Sequence, residues 1–468
     1  MTTPTPHAST SGPPVRLRRV LKVPALVLFG LVYMVPLTVF TTYGIVTELT
    51  GGRVPMAYAI TLVAMAFTAR SYARMAMAFP FAGSAYVYAQ RSFGPGIGFM
   101  AGWSLMLDYL FLPMINYLVI GIYLHAAFPA VPAWVFIVAT IALVTVLNVI
   151  GIVSVARANF VIIGVQALFI VVFVALGVGS MSGGSVDLAA PFTGDGSVDG
   201  VNVLFAGAAI LCLSFLGFDS ISTLSEEAKD AKRSVPRAIM ITTVTAGVIF
   251  IGLSWLSQVV YPQNDFADVD SAALDVMTAA GGEFLAAFFT AAYIAGATGS
   301  ALTSQASVSR ILYSMGRDGV LPRRIFGRLS ARFRTPMYAT LVVSAVSLFA
   351  IIIDLGLLVE MISFGALIAF SVVNLSVIKH FYIDQKERSS ARLLSNLVLP
   401  FIGFSLTVWL WTSLSGTTFI VGGIWMLGGL VLLAIVTRGF RTRAPMLDLS
   451  EVADVTEADV ERSEPERV

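Results

Sequence analysis

The sequence predicts an all-α polytopic membrane protein with twelve transmembrane helices, the first ten forming two inverted repeats of five. Three observations carry this reading. Of the 468 residues 57% are hydrophobic and 12% charged, with a mean hydropathy of +0.86, whereas a soluble domain has about 25% charged residues. Twelve windows are apolar for about the 20 residues that a spanning helix needs. Two of them, the first and the sixth, carry helix breakers near their centres.

The windows fall near residues 23–46, 56–79, 96–128, 132–152, 158–177, 201–225, 237–261, 283–315, 336–354, 357–379, 393–414 and 419–436. Before them, residues 1–22 begin in a stretch rich in Thr, Ser and Pro that reads as a disordered tail, with no cleavage site after the first apolar run. Residues 23–379 are expected to form a ten-helix core, 393–436 the last two helices, and 437–468 a solvated tail that is first basic, then acidic. The single cysteine, Cys212, lies inside a span and is expected to pack. Basic residues set the orientation, because short loops carrying Lys and Arg stay in the cytoplasm. Arg16, Arg18, Arg19, Lys22, Arg74, Arg91, Lys229, Lys232, Arg233, Arg237, the arginines between 310 and 334, Lys379, Lys386, Arg388 and Arg392 all fall on one side. The other side holds Arg53 with Asp187, Asp195, Asp199, Asp265, Asp268 and Asp270. Both termini are therefore expected in the cytoplasm of a cell whose plasma or inner membrane holds the protein.

The sixth window contains Ser214 to Glu227, SFLGFDSISTLSEE. An acid at the centre of a spanning helix costs roughly 2.5 to 3.5 kcal/mol even on the lenient insertion scale, so Asp219 needs a reason. Gly217 lets the helix unwind, which frees backbone polar groups that only a cavity tolerates. Asp219 can bind a substrate, cap the second half-helix, or do both. In the first window, YMVPLTVF places Pro36 mid-span, where it lacks an amide hydrogen and breaks or kinks the helix. A kinked structural helix explains Pro36 alone. The pair of breaks five windows apart is what an inverted repeat requires, with substrate held between them.

Three stretches carry a resemblance. These are FPFAGSAYVYAQRSFGPGIGFMAGW (Phe79 to Trp103), FLGFDSISTLSEEAKDAKRSVPRA, and SVSRILYSMGRDGVLPRRIFGRLSARFRTP with its RDG and closing TP. Together they resemble the amino acid-polyamine-organocation (APC) superfamily, whose leucine-transporter-type fold has the five-plus-five repeat and two further helices. Within it, GWSLMLDYLFLPMIN and SFLGFDSISTLSEE are most similar to the putrescine importers. The resemblance implies a secondary transporter that imports a small organic cation, putrescine or a related diamine, by alternating access. An amino acid permease or exchanger of the same superfamily is the alternative. Amino acid transporters of this kind typically carry Gly-Ser-Gly at the first break, whose amides cradle a carboxylate; here the stretch is Val35-Pro36-Leu37-Thr38. That departure leaves acceptors suited to ammonium groups.

Candidate substrate-binding residues are Asp219, Gly217, Phe215, Phe218 and Ser214 at the second break, Pro36, Thr38 and Tyr33 at the first, and Asp108 and Tyr109 in the third window. Asp108 is either a second counter-charge for a diamine or a packing acid. Aromatic rings can hold ammonium by about 0.5 to 2 kcal/mol; Phe215, Phe218 and Tyr109 come before Tyr293, and Asn116 is a further polar candidate. Glu226 and Glu227 form surface ion pairs or take part in an inner gate. The resemblance implies a coupling ion. A proton is expected, without the lysine in the fifth window that serves some relatives, since Gln166 stands there; a sodium site would draw on Thr303 and Ser304. No cofactor, metal cluster, phosphate loop or nucleic-acid partner is expected, because the histidines are scattered and no Walker lysine occurs. A channel would want charged rings or a filter, and an enzyme a nucleophile with its base; the sequence offers neither.

Overall fold

Inside a bilayer every backbone N–H and C=O has to find its partner within the protein. The chain meets this with helix: the described residues contain no strand, and their one bridge pairs Leu21 with Ala228. The structure is a computed structural model that describes residues 21–80, 84–150, 155–181, 187–198, 200–317, 321–330, 333 and 335–442. Both tails, Asp199, and Asp318 and Gly319 of the RDG motif lie outside the described residues.

Among the described residues eleven helices are long and apolar enough to cross a membrane, and a twelfth, shorter apolar one accompanies them. They are α1 (Val23–Phe40), α2 (Val54–Ala78), α3 (Pro95–Ala127), α4 (Ala133–Ile150), α5 (Val161–Ser180) and α6 (Asn202–Ser225). Then follow α7 (Ala231–Val260), α8 (Ala273–Tyr313), the short α9 (Met337–Ile351), α10 (Leu355–Asp384), α11 (Leu394–Thr412) and α12 (Gly416–Val436). An amphipathic helix, Ser84–Phe93, lies between α2 and α3.

Several boundaries depart from the sequence windows, among them those of the first, seventh and tenth helices, and two have a local cause. The eighth helix starts ten residues before its expected position, because it continues through a kink at Gly281 and Gly282, where Gly282 has φ 68°. The ninth stops at Ile351, its last turn tightened to a 3-10 helix. Asp354 then caps α10 by accepting the Leu357 amide at 3.0 Å.

Packing partners repeat under a shift of five helices. α1 lies against α7 and α6 against α2; α3 lies against α10 and α8 against α5; α2 meets α7, and α3 meets α8, across the middle. α12 reaches the core through α10 and α3. There Trp103 and Trp425 stack at 4.8 Å, and each indole donates to the other's carbonyl, at 2.9 and 3.0 Å. The repeat therefore places α1, α3, α6 and α8 around a common centre.

Candidate substrate-binding site

α1 runs as α-helix to Met34, leaves helical geometry at Val35 (φ 47°, ψ 91°), and resumes as a 3-10 turn at Pro36–Phe40. Pro36 is the physical cause: the residue before a proline is pushed away from helical angles. The Thr38 hydroxyl donates back to the Met34 carbonyl at 2.7 Å and also to that of Val35. In α6 the helix ends at Leu211 and tightens to a 3-10 turn through Phe215. Leu216 is extended and Gly217 sits at φ 130° before a second 3-10 stretch begins at Ser220. The two breaks touch, since a Cβ built on Gly217 falls 2.8 Å from Tyr33 Cδ1 and 3.2 Å from the Met34 nitrogen.

Asp219 does not cap the second half-helix, because its side chain makes no bond to the amides that follow. It turns back instead, with Oδ1 accepting the Gly217 amide at 3.3 Å and Oδ2 accepting the Ser84 hydroxyl at 3.1 Å. Leu216 is extended at ψ 123°, which turns the Gly217 amide out of the helical direction, and the Asp219 carboxylate accepts it there. Asp219 is 7% exposed, and no cationic side chain among the described residues pairs with it. Asp108, 8% exposed, lies within electrostatic reach of Asp219, and its Oδ1 has no hydrogen-bond partner. Five residues on, Pro113 sits inside α3 and has no N–H, so the Tyr109 carbonyl loses its helical donor.

Below the breaks is a cavity of about 50 Å³, room for a few waters. α1 contributes Tyr33, Met34, Val35 and Thr38, with Thr41 just past its end; α3 contributes Leu112, Ile115, Asn116 and Val119; α6 contributes Leu213 and Leu216; α8 contributes Tyr293, Ala297 and Ser300. Its polar edge is tied across helices. Thr41 bonds Tyr293 at 2.5 Å, and Asn116 donates to Ser300 at 3.1 Å. Tyr33 lines the cavity and lies within reach of Asp108, Asp219 and Tyr109, so it joins the cavity to the acids.

The structure brings Tyr33, Thr38, Asp108, Tyr109, Gly217 and Asp219 to this centre, with Asn116 and Tyr293 on the cavity wall. Other candidates lie elsewhere. Ser214 bonds the Tyr58 hydroxyl of α2 at 3.0 Å, and Phe215 packs edge-on against Phe250 of α7 at 5.4 Å, so both face away from the cavity. Phe218 is wedged between Tyr72 and Phe370. Thr303 is exposed and Ser304 buried, on different faces of α8, and both hydroxyls return to their own helix. Gln166 lies over Gly296 of α8, where an added Cβ would fall 1.8 Å from its Nε2. The side chain of Glu226 lies outside the described residues, while the Glu227 carbonyl accepts the Leu21 amide at 3.0 Å. Among the described residues no group of three His, Cys, Asp or Glu could hold a metal.

Sequence reasoning passed over Tyr72, Ser84 and Tyr88. Tyr72 and Tyr88 meet edge-on at 5.9 Å, both feel the charge of Asp219, and both hydroxyls are buried without a hydrogen-bond partner. The Tyr72 hydroxyl sits near Ser84 and that of Tyr88 near Ser222, outside bonding geometry in each case. Two unpartnered phenol oxygens and one unpartnered carboxylate oxygen, Asp108 Oδ1, are thus buried about this centre.

Residues 25–435 match the family model for amino acid permeases. The chain is 42% identical over 444 residues to the low-affinity putrescine importer PlaP of Escherichia coli K12, covering 93% of this chain and 97% of that one. It is 24% identical over 461 residues to the branched-chain amino acid permease BcaP of Bacillus subtilis, covering 92% and 95%. To the methylthioribose transporter of Bacillus subtilis it is 26% identical over 444 residues, covering 90% and 94%.

Proposed function

This chain belongs to the amino acid permease family of the APC superfamily, and from that premise we propose that it imports a small organic dication, putrescine or a related diamine. The observation that carries the reading is the pair of buried acids, Asp219 and Asp108, with no cationic partner among the described residues and a ring of tyrosines about them. The importer to which the chain is 42% identical supports the substrate class.

The amides at the two breaks point the same way. Val35 N–H is bonded to the Val32 carbonyl at 3.1 Å, Thr38 N–H to the Val35 carbonyl at 2.8 Å, Pro36 has none, and Gly217 N–H is taken by Asp219. A substrate carboxylate would find little to bind there. An ammonium finds two carboxylates, the Tyr109 carbonyl and aromatic faces. In this reading Asp219 holds one ammonium and Asp108 the other, with Tyr33, Tyr72, Tyr88 and Tyr109 around the ligand. Thr38 and Pro36 shape the first break, and Phe218 backs Tyr72. Ser214 and Phe215 would act by fixing α6 on α2 and α7.

Residues 23–379 would form the transport core, with cytoplasmic termini and with α11 and α12 beside it. Pairing of Leu21 with Glu227 and Lys229 joins the entry of α1 to the exit of α6, so Glu226 and Glu227 lie where an inner gate would close. Import would run with the membrane potential and a co-transported proton, for which the two acids are the titrating groups, and without a sodium site at Thr303 and Ser304. The test is uptake of radiolabelled putrescine challenged with unlabelled diamines and with zwitterionic amino acids. Diamines should compete and amino acids should not; the reverse would assign an amino acid permease.

A further inference from the structure

At the end of the bundle that carries the basic loops, α2 and α7 leave a cleft of about 340 Å³ between them. Arg70 and Arg74 of α2 and Arg237 of α7 line it, along with apolar side chains that include Met77 and Ile241. Three guanidiniums share this space with no carboxylate. Arg74 donates to the Asn396 side-chain oxygen Oδ1 at 2.5 Å and covers the Phe381 ring, yet its Nε is buried without a partner. Glu387, the acid that acts on Arg74, is already held by Arg392 at 2.8 Å and by Asn396 at 3.1 Å. Arg70 gives one bond to the Ser395 hydroxyl at 3.2 Å, and Arg237 forms no ion pair among the described residues.

The outer edge of the cleft is apolar and continues along both helices. Met77, Arg70 and Val63 follow one another at seven-residue spacing on α2, and Ile241, Val244 and Val248 share one face of α7; the five apolar side chains are all exposed. A cationic pocket opening onto an exposed apolar groove matches a ligand that is anionic at one end and hydrocarbon at the other. We propose that this cleft binds the headgroup of an anionic phospholipid, with Arg70, Arg74 and Arg237 around the phosphate and an acyl chain along the α2–α7 groove. A free phosphate would use the arginines alone and leave the groove without a role.

Native mass spectrometry of the purified full chain in nonionic detergent tests this. Phosphatidylglycerol should be retained in preference to phosphatidylcholine in the unaltered protein, and millimolar inorganic phosphate should not displace it. Arg70→Gln with Arg237→Gln should weaken phosphatidylglycerol binding about thirtyfold, from about a factor of five per arginine at an anionic surface. Arg70→Lys with Arg237→Lys keeps both charges and should retain most of the binding. Equal retention of the two lipids by the unaltered protein would overturn the proposal without recourse to any variant. So would undiminished binding by a folded Gln variant. Displacement by inorganic phosphate alone would reassign the pocket to a soluble anion.

Discussion

Gly217 of α6 lies against the backbone of Met34 in α1, so close that a Cβ there would stand 3.2 Å from the Met34 nitrogen and 2.8 Å from the Tyr33 ring. The two interrupted helices are thus joined at their interruptions, and the acids follow from that junction. Gly217→Ala would meet both the contact and the φ of 130°, which together cost about 1 to 3 kcal/mol. Uptake should fall at least tenfold and the unfolding temperature in detergent should drop. An alanine variant that transports and melts as the parent would show that the junction is loose.

Asp219→Asn keeps an oxygen for the Gly217 amide and removes the charge. Truncating one side of a buried charge pair costs about 2 to 5 kcal/mol, so putrescine binding should weaken by thirtyfold or more. Membrane expression and thermal stability should hold, because no cationic side chain among the described residues pairs with Asp219. Normal uptake by this variant would remove Asp219 from the site.

Asp108→Asn distinguishes the two ends of a dication. KM for putrescine should rise on the order of tenfold, while KM for a monoamine of equal length changes little. Equal losses for both would mean that Asp108 supports the fold rather than the second ammonium.

Much of this geometry was legible in the sequence, and the part that was not has a physical reason. Hydropathy over 20 residues marks spans because lipid permits little else, and Pro36 and Gly217 mark breaks because each removes a constraint of regular helix. Which side a residue faces beyond a break is another matter. Once α6 tightens to 3-10 geometry at Cys212, the helical period no longer tells where Ser214 and Phe215 point, and both face α2 and α7. Tyr72, Ser84 and Tyr88 come from segments more than 120 residues away from Asp219, and nothing local reports that they converge on it. Within α8, the Gly281–Gly282 pair reads as a boundary, but the helix bends there and runs on.

On the opposite end of the bundle, burial pushes the Asp270 carboxyl from its ordinary 3.8 up to about 6, with Asp268 and then Asp354 adding to the rise. A folded-state value above the unfolded one means that the contribution of this group is fully present below about pH 4. It is lost as pH rises through about 6. Asp270→Asn should therefore raise the unfolding temperature at pH 7.5 more than at pH 4.5. Thermal unfolding at the two pH values checks this, and a larger gain at pH 4.5 would contradict the assignment.

The central claim, import of a dication, is tested most directly by uptake into liposomes that contain the purified protein and nothing else. Each 100 mV, inside negative, is worth ~4.6 kcal/mol to a double charge, about three decades of accumulation. Radiolabelled putrescine should enter faster when a potassium diffusion potential is imposed, with no requirement for sodium and none for substrate trapped inside. Uptake that ignores the potential and demands an internal counter-substrate would make the protein an exchanger and contradict the account.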